Sequence, residues 1–137
     1  IKHTQKYLKQ GSPYEYYQSV IPVIFGDAYI EENRDLLEEQ ARCFNLLPKS
    51  FFQGQIYLSE TFIKETAITD ELDKIQAPTL VISGDDDKLK PPRFSQIISR
   101  RIVNSKYANI PKCGHVSITE RPDVVNSLLF KFISGSH

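Results

Sequence analysis

Two short apolar runs separated by one helix-length stretch constrain this chain more than any other feature. The first, Thr79-Leu80-Val81-Ile82-Ser83, is apolar, partly β-branched and introduced by Ala77-Pro78. A run of this kind, without alternation, reads as a strand buried on both faces, as in a parallel sheet. The second, Tyr107-Ala108-Asn109-Ile110, follows a helical stretch opened by Pro91-Pro92, with apolar positions at Phe94, Ile97, Ile98 and Ile102. A last amphipathic helix starts at Arg121-Pro122-Asp123 and carries Val124, Val125, Leu128, Leu129, Phe132 and Ile133. Strand, helix, strand, helix at these lengths makes a βαβα unit, with parallel strands and a right-handed crossover expected. Two parallel strands do not hold a sheet alone, and a parallel sheet needs both faces covered. The unit therefore asks for more strands than the sequence supplies.

The residues before Gln76 read as helices. Ser12-Pro13-Tyr14-Glu15 has the form of a capping box. Tyr16, Tyr17, Val20, Ile21, Ile24 and Phe25 continue it as an apolar stripe, which Pro22 is expected to kink or interrupt and Gly26 to stop. A second helix is expected from about Glu32 to Leu47, with Leu36, Leu37, Ala41, Phe44 and Leu47 on one face. A third covers about Ser50 to Thr66, and Thr69–Ile75 reads as a short helical linker. The expected division is a helical part, residues 1–70, and a βαβα part, residues 71–137.

Composition narrows the function classes. Lys+Arg and Asp+Glu both number 17, so the formal net charge is zero and no basic excess exists for a phosphate backbone. No apolar run approaches the ~20 residues of a membrane helix. Ile1 opens no basic-then-apolar leader, so a secretory signal is not expected. The two cysteines, Cys43 and Cys113, make no disulfide framework and read as reduced thiols in a cytoplasmic protein. His3, His115 and His137 lie too far apart for metal-ligand spacing, and no phosphate loop or dinucleotide fingerprint is present. Neither metal nor cofactor is expected.

Ligands of open parallel sheets sit beyond the carboxyl ends of the strands. Asp87 follows the first strand in Ser83-Gly84-Asp85-Asp86-Asp87, and His115 follows the second through the turn Pro111–Gly114, 28 residues later. Loops after adjacent strands are neighbours, so this carboxylate and this imidazole are expected within reach. A carboxylate on one ring nitrogen fixes the tautomer and leaves the other nitrogen to take a proton from a nucleophile. Plainer readings stand beside this one: Asp87 as a turn aspartate ahead of Pro91, and His115 as a loop histidine bonded to a backbone carbonyl. Asp85 and Asp86 read as solvated loop residues, with Asp86 the second choice of acid. The loop lacks the regularly spaced oxygen ligands of a Ca²⁺ site.

The stretch from Ile75 to Ile133 resembles the C-terminal end of the α/β-hydrolase superfamily. Gly84, Asp85-Asp86, Asp87, Lys88-Leu89-Lys90, Pro91 matches that family's acid loop, and Gly114-His115 with Glu120-Arg121-Pro122 matches its histidine turn and final helix. The resemblance implies Asp87 as triad acid and His115 as triad histidine. It also implies a C-terminal part of an α/β-hydrolase fold, parallel strands with flanking helices, preceded by a helical cap or lid. The helices between Ser12 and Thr66 resemble such a lid, and their many aromatic residues suit a cover over a small apolar acyl substrate or, more plainly, interhelical packing. The family's nucleophile elbow, Gly-x-Ser-x-Gly, is absent from the sequence, and Cys113 stands too close to His115 to replace it. The implied protein is a serine-type hydrolase of an ester, thioester, lactone or related acyl bond, of which this chain alone is an inactive C-terminal fragment. A non-catalytic binding or scaffold module, and a lyase or carbon–carbon hydrolase with the same triad, are the alternatives. The expected partner is the missing N-terminal half or a second copy, paired along the open edge of the first strand.

Overall fold

A computed structural model of the chain describes residues 12–64 and 68–135; His3, His137 and the end of the expected third helix lie outside them. Among the described residues two compact units separate, one from 12–22 and 32–64, the other from 23–31 and 68–135.

The helical unit begins with the reciprocal cap its sequence encodes. The Ser12 N–H donates to Glu15 Oε2 at 2.8 Å, and the Glu15 N–H donates to Ser12 Oγ at 3.2 Å. Helix α1, Pro13–Ile24, runs through Pro22 rather than breaking there. Proline's fixed φ suits a helix, and the cost is one missing donor to the carbonyl four residues back. Helix α2, Asp27–Glu32, which lies in the second unit up to Glu31, was not foreseen: Gly26 ends α1 and at once starts another helix, its carbonyl accepting the Ile30 N–H at 3.1 Å. The expected second helix is correspondingly shorter. Helix α3 spans Arg34–Cys43, and a 3₁₀ turn covers Phe44–Leu46 before Pro48. Helix α4 is Lys49–Lys64.

Tyr17, Ile21, Leu37 and Ala41 are the buried residues of this unit. Phe44 lies against Tyr17, with ring centroids 4.1 Å apart, and meets Phe51 edge-on at 6.0 Å. Tyr16 meets Phe52 edge-on at 6.2 Å. Those aromatic residues are packing between helices, whereas Tyr57 and Phe62 of α4 remain exposed. Glu38 gathers the polar side of the unit, accepting from Tyr14 Oη at 3.0 Å and Gln18 Nε2 at 2.7 Å.

In the second unit a 3₁₀ turn, Thr69–Lys74, leads to strand β1, Thr79–Gly84. Helix α5, Pro92–Arg101, crosses to strand β2, Ser105–Ile110. A short turn of helix, α6, Ser117–Glu120, precedes α7, Pro122–Ser134, which Gly135 closes at φ 66°. The strands are parallel and paired from Thr79↔Ser105 to Gly84↔Ile110. Strand β2 starts two residues earlier than its apolar content indicates, because pairing with β1 recruits polar Ser105 and Lys106. Ile110, Cys113 and Val125 form the buried centre, with Ile82 and Leu128 against it, so α7 covers the sheet face that carries Ile82 and Ile110.

The reading of β1 as buried on both faces is corrected. Only Ser83 and Gly84 are buried, while Thr79–Ile82 are half-buried. The sheet has two strands among the described residues, and α5, with no buried residue, leaves Phe94, Ile97 and Ile98 exposed. A two-strand ribbon offers too little area to cover the apolar stripes packed beside it.

Candidate active site

Strand β1 ends at Gly84 and β2 at Ile110, and the loops beyond them are tied backbone to backbone. The Asp85 N–H donates to the Ile110 carbonyl at 3.0 Å, and the Asp86 N–H to the Cys113 carbonyl at 2.9 Å. The loops therefore sit as rigid extensions of the sheet, at its carboxyl end.

The three consecutive aspartates do three different things. Asp85 Oδ1 faces the Cys113 N–H at 3.4 Å. Asp86 Oδ2 accepts the Asp27 N–H at 2.6 Å and so caps the start of α2. Its other oxygen lies 3.7 Å from Lys88 Nζ, which also pairs with Asp27. The Asp27 carboxylate holds the Lys88 ammonium above its usual range. Asp86 is thus a structural cap, not the solvated loop residue read from the sequence. Asp87 is buried, and its carboxylate is divided: Oδ1 accepts the N–H groups of Leu89 and Lys90 at 2.9 and 2.7 Å, and Oδ2 lies 2.9 Å from His115 Nδ1.

The acid is therefore oriented by its own loop before it meets the imidazole. A carboxylate stripped of water needs such donors, and accepting them leaves one oxygen aimed in a fixed direction. The His115 side chain is 39% exposed, against 6% for Asp87. With Nδ1 engaged and, among the described residues, no partner on Nε2, the ring presents one free nitrogen. The 28-residue separation has closed to a single hydrogen bond.

His115 is also held through its backbone. Its N–H donates to the Ile24 carbonyl at 2.7 Å. A Cβ on Gly114 would stand 2.4 Å from the Gly26 nitrogen, so only glycine fits before the histidine. Glu120, read from the sequence only as part of the helix start, is buried under this turn. Its Oε2 accepts the N–H groups of Gly114 at 2.9 Å and Gly26 at 3.1 Å. The pattern Glu120-Arg121-Pro122 marks the start of the last helix and gives this side chain no role, because its two partners, Gly114 and Gly26, lie outside that helix.

Cys113 is fully buried, and that burial, with Glu120 nearby, pushes its thiol up to about 11. It stays protonated at neutral pH and is no nucleophile. Both cysteines are free. No group of metal-binding side chains and no helix long and apolar enough to cross a membrane occurs among the described residues. A hollow of about 350 Å³ lies on the sheet face under α7, lined by Leu80, Ala108, Leu128 and Phe132 among others, and contains no residue of this site.

No family model matches the chain. Over 61 residues it is 38% identical to BpoC of Mycobacterium tuberculosis, covering 44% of this chain and 23% of that protein. A proline iminopeptidase of Lactobacillus helveticus is 35% identical over 77 residues, 56% of this chain and 26% of that one. Among solved structures, MGS-M2, an α/β-hydrolase enzyme from a Medee basin deep-sea metagenome library, matches with a TM-score of 0.88 at 26% identity. That match covers 97% of this chain and 49% of MGS-M2. The chain thus spans about a quarter of the length of these curated relatives and about half that of the solved structure. With its parallel strands, flanking helices and these likenesses, the chain has the fold of part of an α/β-hydrolase.

Proposed function

We propose that this chain supplies the acid and the histidine of a serine-type hydrolase, whose nucleophile and oxyanion hole lie in polypeptide beyond it. The observation that carries the reading is the 2.9 Å contact between Asp87 Oδ2 and His115 Nδ1, with Asp87 Oδ1 held by two backbone N–H groups. Asp87 keeps the proton on Nδ1, so Nε2 is the basic nitrogen. Nε2 takes the hydroxyl proton as the serine oxygen bonds to the acyl carbon, then returns it to the leaving group as the acyl bond breaks. Water repeats both steps and releases the acid. The substrate class is an ester, thioester, lactone or related acyl compound, small and apolar. Two free thiols support a reducing, cytoplasmic setting. The open edge of β1 and the exposed Phe94, Ile97 and Ile98 support pairing with an upstream half of the fold or with a second copy.

By itself the chain is expected to hydrolyse a p-nitrophenyl ester no faster than buffer. Turnover that disappears in His115→Ala would overturn that expectation. Joined to an upstream half carrying a Gly-x-Ser-x-Gly elbow, it is expected to support turnover that either His115→Ala or Asp87→Ala abolishes. An upstream half with alanine at the elbow points instead to a binding role.

A further inference from the structure

Glu120 is a buried carboxylate only 5% exposed, and its Oε1 is fully enclosed without a hydrogen-bond partner among the described residues. Buried acids are costly, and an unsatisfied oxygen adds to the cost. What Glu120 does with its other oxygen is local and specific. Oε2 accepts the N–H of Gly114, the residue immediately before His115, and the N–H of Gly26. Between those two points the His115 N–H donates to Ile24, and Val116 reaches the same carbonyl at 3.4 Å. Segments 24–26 and 114–116 are thereby joined on both sides of the histidine, with one carboxylate oxygen as one of the two ties.

The fit around this oxygen is close. A Cβ on Gly26 would lie 3.1 Å from Glu120 Oε2 and 3.0 Å from the Gly114 nitrogen. The backbone that carries this carboxylate is held in turn, since the Glu120 N–H donates to the Val116 carbonyl at 3.0 Å at the start of α6. Before Gly114 the chain passes Lys112 in the left-handed region at φ 51°, a conformation uncommon for a non-glycine residue. Remove the carboxylate and two buried N–H groups in a glycine-flanked turn lose their acceptor together.

We infer that Glu120 is a positioning residue for His115. It sets the backbone from which the imidazole reaches Asp87, as Asp87 sets the ring. This rests on the reading of His115 as the proton carrier. The enclosed Oε1 is the cost of placing a bifurcated anionic acceptor under a turn that has no room for two separate ones.

Imidazole ¹⁵N shifts of His115 in the 137-residue chain test this without turnover, so failure of the hydrolase reading and failure of the Glu120 assignment give different results. The wild-type ring is expected in the Nδ1–H tautomer. Glu120→Gln keeps that tautomer, because one amide oxygen still takes both N–H groups. Glu120→Ala and Glu120→Asp, whose carboxylate is a methylene too short, lose the preference and give a mixed ring while the β1–β2 amide contacts persist. Wild-type ring shifts in the alanine variant overturn the inference. So does global unfolding of both the alanine and aspartate variants while the glutamine variant stays folded, since Glu120 is then a structural brace alone.

Discussion

A Cβ built on Gly84 would stand 2.1 Å from the Cys113 carbonyl oxygen and 2.6 Å from its carbonyl carbon. These are backbone atoms of the turn that delivers His115, so no side-chain rotation relieves the contact. Gly84→Ala must push the acid loop and the histidine turn apart, straining the bonds from Asp85 to Ile110 and from Asp86 to Cys113. Overpacking of this kind costs about 1–3 kcal/mol, with the upper end expected because the obstruction is backbone. Gly54 in α4 is the control, since nothing lies within 4 Å of its Cβ direction. Gly54→Ala gains helix propensity and is expected to stabilise by up to ~1 kcal/mol. Urea denaturation of the two variants should therefore give shifts of opposite sign.

Asp87 has two tasks, and two substitutions separate them. Asp87→Ala removes the acceptor for Leu89 and Lys90. Hydrogen bonds to a charged group contribute about 1.5–3 kcal/mol, so exchange of those two amides should quicken by roughly ten- to a hundred-fold. Asp87→Asn keeps one oxygen for them and turns its NH₂ toward His115. The ring must then offer an unprotonated Nδ1, which moves its proton to Nε2, the wrong tautomer for a base. Amide exchange near the wild-type rate together with a reversed ¹⁵N pattern is the expected result. Rapid exchange in the asparagine variant would place its oxygen elsewhere.

The elements whose signal is local were legible. Ser12 and Glu15 cap α1 reciprocally, as their spacing requires, and the apolar runs at Thr79 and Tyr107 form the two parallel strands. What escaped the sequence depends on distant partners. Asp86 caps α2 across 59 positions, and Glu120 accepts from Gly26 across 94. No window of the chain contains both members of either pair. Helix α2 was missed because Gly26 reads as a stop, whereas here its carbonyl also starts a new helix. The burial of β1 was overread because a continuous apolar run reports the sheet it is made for, and two strands cover only part of it.

That shortfall has a solution consequence. Phe94, Ile97 and Ile98 project from one helix at 43%, 43% and 37% exposure, beside a strand whose second edge is unpaired among the described residues. An apolar face of this size next to a free edge favours association. The chain should show concentration-dependent mass by light scattering, with Phe94→Glu combined with Ile97→Lys shifting it toward monomer. Both sites are exposed, so each substitution should change stability by no more than ~0.5 kcal/mol. A monomer at every concentration would remove the case for an edge or face awaiting a partner.

Cys113 should make the chain sensitive to alkali. Its thiol is pushed up to about 11 by burial, from an ordinary value of 9.0, so the folded state retains a proton that the unfolded state has released. The stabilisation is fully present below pH 9 and is lost as pH rises through about 11. Two pH units correspond to about 3 kcal/mol at most. The Tyr16 hydroxyl, which burial also raises, and Lys88 titrate in both proteins when wild type is compared with Cys113→Ala, so they cancel in the difference. The gap between the two unfolding free energies should be constant up to pH 9 and narrow above it, because only the wild type has a thiol to ionise. A thiol reagent gives the companion result: exposed Cys43 should react in the native chain, and buried Cys113 only as it unfolds. Equal reactivity of both thiols under native conditions would mean that the turn beneath His115 opens readily, and the rigidity of the Asp87–His115 pair would fail with it.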